Sequence, residues 1–98
     1  MFDTLMKAGS VLVYKHSSSC PVSFRARREV AGFAELAEAP DIYEVLVIEQ
    51  RGLSDYVAEV TGVRHQSPQA ILLQEGRVIW HGSHFKIDMA RLRQVSCS

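Results

Sequence analysis

Two apolar runs separated by one amphipathic segment constrain this chain more than any other feature. Val11, Leu12, Val13 and Tyr14 follow one another without a polar residue, and Tyr43 to Ile48 is mostly apolar. A run without polar alternation marks a strand buried on both faces. Between the runs, Val22, Ala26, Val30, Phe33 and Ala37 recur at helical spacing. A helix from Pro21 to about Ala37 is therefore expected. Arg25, Arg28, Glu29 and Glu35 lie off its apolar face, and Pro40 follows its end. Strand, helix and strand in this order form a parallel unit, which crosses over right-handedly almost without exception.

The remaining segments complete one α/β domain over residues 1–98. Phe2 to Ala8 reads as a short helix with Phe2, Leu5 and Met6 on one side, ended by Gly9 and Ser10. Leu53, Tyr56, Val57 and Val60 form the apolar face of a second helix, and Gly62 suits its C′ position. Ala70 to Leu73 and Val78 to Trp80 are strands joined by a two-residue turn, Glu75-Gly76. Asp88 caps a last helix carrying Met89, Leu92 and Val95, with Ile87 and Leu92 placed as a hydrophobic staple. The order is β-α-β, then α, then a β-hairpin, then α, with no repeat or linker. At 98 residues the chain holds one core. Its formal net charge is zero, which gives no argument for nucleic acid or an anionic membrane as partner. No apolar run approaches the ~20 residues of a membrane span. Met1 to Lys7 contains Asp3 and lacks a basic start before an apolar stretch, so no secretory signal is read there.

Chemistry concentrates where the first strand meets the first helix, in His16, Ser17, Ser18, Ser19, Cys20, Pro21, Val22 and Ser23. Proline suits a first helical position because its missing N–H is an orphan there in any case. The free N–H groups of the first turn and the helix dipole favour negative charge on the residue before it. That residue is Cys20, and the thiolate is the reactive form of cysteine. The plainer reading of Cys20 is a small buried hydrophobe. Three serines and Lys15 upstream, Arg25 downstream and the helix start favour a nucleophile instead. Such surroundings bring a cysteine pKa to ~3.5–7.5. At an illustrative ~6.5 the gain in thiolate is nearly cancelled by lost nucleophilicity, and what improves is the thiol as a leaving group. Ser23, three residues on, cannot resolve a mixed disulfide. The other cysteine, Cys97, sits near the C-terminus. It is either an exposed terminal residue or an internal second thiol. With so few cysteines a disulfide framework is a poor staple, and a reducing, cytoplasmic setting fits better.

Cysteine-proline-x-serine at a strand-to-helix junction resembles the monothiol form of the thioredoxin and glutaredoxin active site. The string Lys15 to Ser23, with Ser67, Pro68 and Gln69 and then Trp80, His81, Ser83 and His84, resembles the bacilliredoxin C (YtxJ) family from about Val11 onward. The resemblance implies a thioredoxin-like fold, a four-stranded mixed sheet flanked by helices. It implies an oxidoreductase that uses Cys20 to remove bacillithiol, a cysteine–glucosamine–malate thiol, from client proteins. Bacillithiol is then a co-substrate, and no cofactor is bound permanently. It also implies a cis Ser67-Pro68 bond facing the reactive cysteine, with the backbone of Ser67 free to pair with a thiol substrate as an added strand would. Gly82, Ser83 and His84, up to Lys86, match the segment where glutaredoxin-like folds hold a thiol's outer carboxylates. Lys15, Arg25, Arg64 and Lys86 are the candidate cations for those carboxylates, or plain surface charges. His16, Ser19, Pro21 and Ser23 are candidates for tuning Cys20.

Other readings have weaker support. His16, His65, His81 and His84 match no zinc spacing. Phosphatases and arsenate reductases with a phosphate loop place their arginine one residue further from the cysteine than Arg25 stands, on a glycine-rich cradle that Pro21 and Val22 do not supply. Monothiol glutaredoxins that bridge an iron–sulfur cluster carry glycine and phenylalanine at those two positions. A glutaredoxin-like protein using another thiol, and a redox-inert thioredoxin-like binding module, stay open as alternatives. If Cys20 sits at a helix start, the ultraviolet absorbance of its thiolate, followed against pH in a Cys97→Ser background, gives a midpoint clearly below the ~8.5 of free cysteine. A midpoint at the free value removes the nucleophile reading.

Overall fold

The computed structural model describes residues 9–19, 21–37 and 39–96. The expected helix over Phe2 to Ala8, and Cys20 and Cys97 themselves, lie outside the described residues. The elements are β1 (Ser10–His16), α1 (Pro21–Ala34), β2 (Asp41–Leu46), α2 (Arg51–Thr61), β3 (Gln69–Gln74), β4 (Arg77–Ser83), a 3₁₀ turn (His84–Lys86) and α3 (Met89–Ser96). One sheet has the order β2-β1-β3-β4. β1 runs parallel to β2 and antiparallel to β3, and β3 runs antiparallel to β4. This is the mixed, helix-flanked sheet expected of a thioredoxin-like chain.

β1 is buried on both faces, as its unbroken apolar run requires. Leu12 and Tyr14 join Ala26, Val30, Phe33, Ala70, Leu72, Ile87 and Leu92 in one core. Val11 and Val13 join Val45, Val57, Val63, Ile71 and Leu73 in the other. Each fully buried side chain of this size contributes ~1.5–3 kcal/mol by leaving water. α1 and α3 cover the first face, and α2 covers the second.

Three expected faces are revised. On α1 the buried residues are Ser23, Ala26, Val30 and Phe33. Val22 is half-buried and Ala37 is exposed. The helix stops at Ala34, and i to i+3 bonds from Leu36 N–H to the Phe33 carbonyl (3.1 Å) and Ala39 N–H to the Leu36 carbonyl (3.1 Å) tighten the chain. Leu36 therefore packs on the core in place of Ala37. β2 ends at Leu46, and Ile48 is 55% exposed. β2 is an edge strand with one neighbour, so only Val45 is fully buried. On α2 Ser54 and Val57 are buried and Leu53 packs against the core as expected, while Tyr56 is 39% and Val60 38% exposed.

The turns follow their chemistry. Gly62 has φ 71° and its N–H donates to the Ala58 carbonyl at 3.0 Å, closing α2. Glu75 and Gly76 both have positive φ, 51° and 83°, the twist that a two-residue hairpin favours. The register of β4 slips between Leu72 and Leu73, leaving Ile79 as the extra residue of a bulge. Asp88 Oδ1 accepts the Arg91 N–H at 2.8 Å, and Ile87 and Leu92 are both buried beside that cap. Asp88→Ala is expected to cost ~1 kcal/mol, and Asp88→Asn much less. Urea unfolding of the two variants checks this, and equal losses would show that the cap contributes nothing.

Candidate functional site

The loop leaving β1 is fastened to the first turn of α1 through one residue, Ser23. Its side chain is fully buried. Its Oγ accepts the Ser17 N–H at 3.3 Å, and its carbonyl accepts the Tyr14 hydroxyl at 2.8 Å. Ser17 Oγ lies 3.0 Å from Ser19 Oγ, while Ser18 and Ser19 face solvent. Pro21 is the first residue of α1, as its ring chemistry predicts. Position 20, outside the described residues, is the residue between this fastened loop and the helix. The first-turn N–H groups lack partners within the helix and favour negative charge at that end.

His16 is 2% exposed at the end of β1. Its Nδ1 lies 3.0 Å from the Tyr14 hydroxyl, and the edge of the Phe24 ring meets its own at a centroid distance of 5.4 Å. Burial, and then the Arg27 guanidinium, lower its pKa below the usual histidine value, against the opposing influence of Glu44, Glu49 and the Ser23 backbone. His16 is thus a neutral imidazole near pH 7.

The expected pool of cations divides in two. Lys15 is fully buried on the α2 face of the sheet. Its Nζ lies 3.1 Å from His65 Nδ1, which Ser54 Oγ also approaches at 3.4 Å. Burial lowers the Lys15 pKa, and Asp55 partly opposes this. His65 is lowered too, by burial first and then by Lys15 and Arg51, with Asp55 opposing. Lys15 is therefore a core lysine with an internal partner, which corrects its place among the surface cations. Arg25 donates to the Ile87 carbonyl at 3.1 Å and lies over the Phe85 ring at 5.4 Å, so it ties α1 to the 3₁₀ turn. Arg64 and Lys86 do converge. Together with Val63, Gln66, Gln69, His81, Gly82 and Ser83 they line a cavity of about 200 Å³.

That cavity adjoins the Ser67-Pro68 loop. The Ser67-Pro68 bond is cis, as the resemblance implied. The Pro68 carbonyl accepts the His84 N–H at 3.1 Å, and Ser83 pairs with Gln69, so the end of β4 is bonded to the proline loop. Gln69, fully buried, donates to the Arg64 carbonyl at 2.9 Å and accepts the Gln66 N–H at 3.4 Å. Ser67 Oγ is buried without a hydrogen-bond partner among the described residues. A Cβ on Gly82 would meet the Trp80 ring at 2.7 Å and Lys86 Cβ at 3.2 Å, so only glycine fits here. Among the described residues no group of His, Cys, Asp and Glu is placed to hold a metal ion.

From the sequence Tyr14 was read only as a strand residue, His65 only as one of four histidines without zinc spacing, and Gln69 only as part of the family string. Tyr14 did carry a signal: a tyrosine inside a doubly buried strand must find a partner for its hydroxyl. His16 sets a pH limit. Its folded pKa lies below the unfolded value, so the unfolded chain binds the proton more readily between the two. The resulting stability is fully present above pH ~6.5 and is lost as pH falls below it. Urea midpoints at pH 7 and pH 5 are expected to differ less in His16→Gln than in the parent. An unchanged difference would mean that His16 is not responsible.

The family model for monothiol bacilliredoxin matches residues 2–92. A solved structure described as a candidate oxidoreductase with a thioredoxin fold is 35% identical, with a TM-score of 0.88 over 96% of this chain and 84% of that one. A variant thioredoxin from Halobacterium salinarum is 18% identical, with a TM-score of 0.75 over 98% of this chain and 80% of that one. Thioredoxin from Fasciola hepatica is 16% identical, with a TM-score of 0.71 over 98% and 86%. The last two show the fold alone. Among the described residues no helix is long and apolar enough to cross a membrane.

Proposed function

This chain belongs to the monothiol bacilliredoxin family, and on that premise we propose that it removes bacillithiol from protein mixed disulfides through Cys20. The Cys20 thiolate attacks the bacillithiol sulfur. The bond between that sulfur and the client sulfur breaks, and the client leaves as a thiolate and takes up a proton. A Cys20–bacillithiol disulfide has formed. A second bacillithiol thiolate attacks the bacillithiol sulfur of that bond and frees the Cys20 thiolate. The client cysteine is reduced, one free bacillithiol is oxidised, and it leaves joined by a disulfide to the bacillithiol taken from the client.

The observation that carries this reading is the fastened junction at Ser23, together with the family match over residues 2–92. The bonds at Ser23 fasten the first turn of α1, whose free N–H groups favour negative charge at that end of the helix. Those N–H groups stabilise the thiolate as it leaves, and a better leaving thiol is what the second step needs. Ser23 offers no second thiol in the first turn, and we assign release to a thiol from solution. Ser19 and Pro21 flank the nucleophile and shape access to it. We assign the glucosamine and malate of bacillithiol to the cavity of Arg64, Lys86, Gly82 and Ser83. The His84 N–H bond to Pro68 keeps that cavity in register with Ser67, whose backbone would pair with the thiol. An exposed ion pair contributes only ~0–1 kcal/mol. Both cations acting together with backbone donors are needed for the ~2.7 kcal/mol of a hundredfold preference over glutathione.

Incubation with oxidised bacillithiol followed by intact-mass measurement tests the reading. The parent is expected to gain one bacillithiol, Cys20→Ser to gain none at that position, and added bacillithiol to reverse the gain. No mass gain in the parent would leave a thioredoxin-like binding module. Equal release of bacillithiol and glutathione from one client would reduce the protein to a general monothiol redoxin.

A further inference from the structure

The exchange written above gives Tyr14 no part, yet its hydroxyl holds a central place at the junction. Tyr14 is 1% exposed and its ring belongs to the core between β1, α1 and α3. Its hydroxyl donates to the Ser23 carbonyl at 2.8 Å and lies 3.0 Å from His16 Nδ1. A phenol has one proton. With that proton on the Ser23 carbonyl, the contact to His16 is a hydrogen bond only if Nδ1 carries the hydrogen and donates to the phenol oxygen. The neutral imidazole is then the Nδ1–H tautomer, with a bare Nε2.

We propose that Tyr14 is a positioning residue of the redox site, holding His16 as its Nδ1–H tautomer while it fixes the Ser23 carbonyl in the first turn of α1. The proposal rests on the thiol-exchange reading for its consequence and not for its geometry. The groups that act on His16 are Arg27, the Ser23 backbone and the Phe24 ring from α1, Glu44 from β2 and Glu49 from the turn after it. Arg27 and Glu44 pair with each other at 3.0 Å. Burial of the ring then keeps His16 neutral, so it carries no positive charge at the end of β1. Ionisation of a thiol at position 20 depends instead on the first-turn N–H groups. Tyr14 sets their direction through the Ser23 carbonyl.

Long-range proton–nitrogen NMR spectra at pH 8 read the tautomer without any thiol substrate. His16 is expected to show a protonated Nδ1 and a bare Nε2. Tyr14→Phe keeps the ring and removes only the hydroxyl. In that variant the Nε2–H form is expected to appear, and the thiolate midpoint, read in a Cys97→Ser background, to rise by about half a pH unit or more. The pH profile of bacillithiol release is expected to move upward with it. Ser23→Ala, which loses Oγ but keeps the carbonyl, is expected to leave the tautomer unchanged, so a shift confined to Tyr14→Phe is not general loosening. An Nε2–H tautomer in the parent protein overturns the proposal, and this outcome stands even if Tyr14→Phe fails to fold. A tautomer that changes with no movement of the thiolate midpoint also overturns it. Failure to take up bacillithiol, with the tautomer and midpoint as expected, counts against the exchange reading alone.

Discussion

The alternation of β1 is the constraint from which the rest follows. β1 pairs with strands on both sides and carries one core on each face. Successive side chains of a strand point to opposite faces. Tyr14 and His16 therefore enter the α1 layer, and Lys15 between them enters the α2 layer. A slip of one residue would exchange the two sets and leave the Ser23 carbonyl facing a lysine. The junction is in this sense an extension of sheet register. Its geometry is set by the same buried aliphatic residues that hold the domain together.

Two polar systems share the C-terminal end of that strand without touching. On one face, hydrogen bonds link Ser17 to Ser23, Ser23 to Tyr14 and Tyr14 to His16. On the other, Lys15 meets His65, which Ser54 also approaches, and His65 and Ser54 line a cavity of about 260 Å³ together with Arg51 and Asp55. A buried lysine costs free energy unless its donors are met. Its partner, His65, sits two residues before Ser67, so Lys15 anchors the approach to the proline loop. Gln69 holds the far side of the same loop.

The element order, the αL glycine, the hairpin turn and the Asp88 cap were legible because each rests on local chemistry carried by a few adjacent residues. Faces were less legible. The expected α1 stripe of Val22, Ala26, Val30, Phe33 and Ala37 shared three residues with the buried set. Periodicity alone cannot tell that Ser23 is drawn inward by Ser17, or that i to i+3 turns replace Ala37 with Leu36. Edge position was invisible too, which is why the run ending in Ile48 read as doubly buried. In the site, Pro21, Ser23 and the Ser67-Pro68 loop were found from the sequence and the family resemblance. Lys15 was misplaced among the surface cations, because strand parity matters more there than nearness in sequence. The pairing of His65 with Lys15 was missed because the two lie fifty residues apart in the chain.

A serine at position 23 also fixes a kinetic order. An internal second thiol in the first turn would act at an effective concentration of ~mM or more, whatever the surroundings contained. With Ser23 instead bound to Ser17 and Tyr14, release of a mixed disulfide by way of this turn is closed. Under the proposed exchange, that step becomes second-order and scales with the free thiol pool. The fraction of protein carrying a capped cysteine then rises as the pool is depleted. The same buried hydroxyl that stiffens the junction thus makes the occupancy of the protein a gauge of the thiol supply around it.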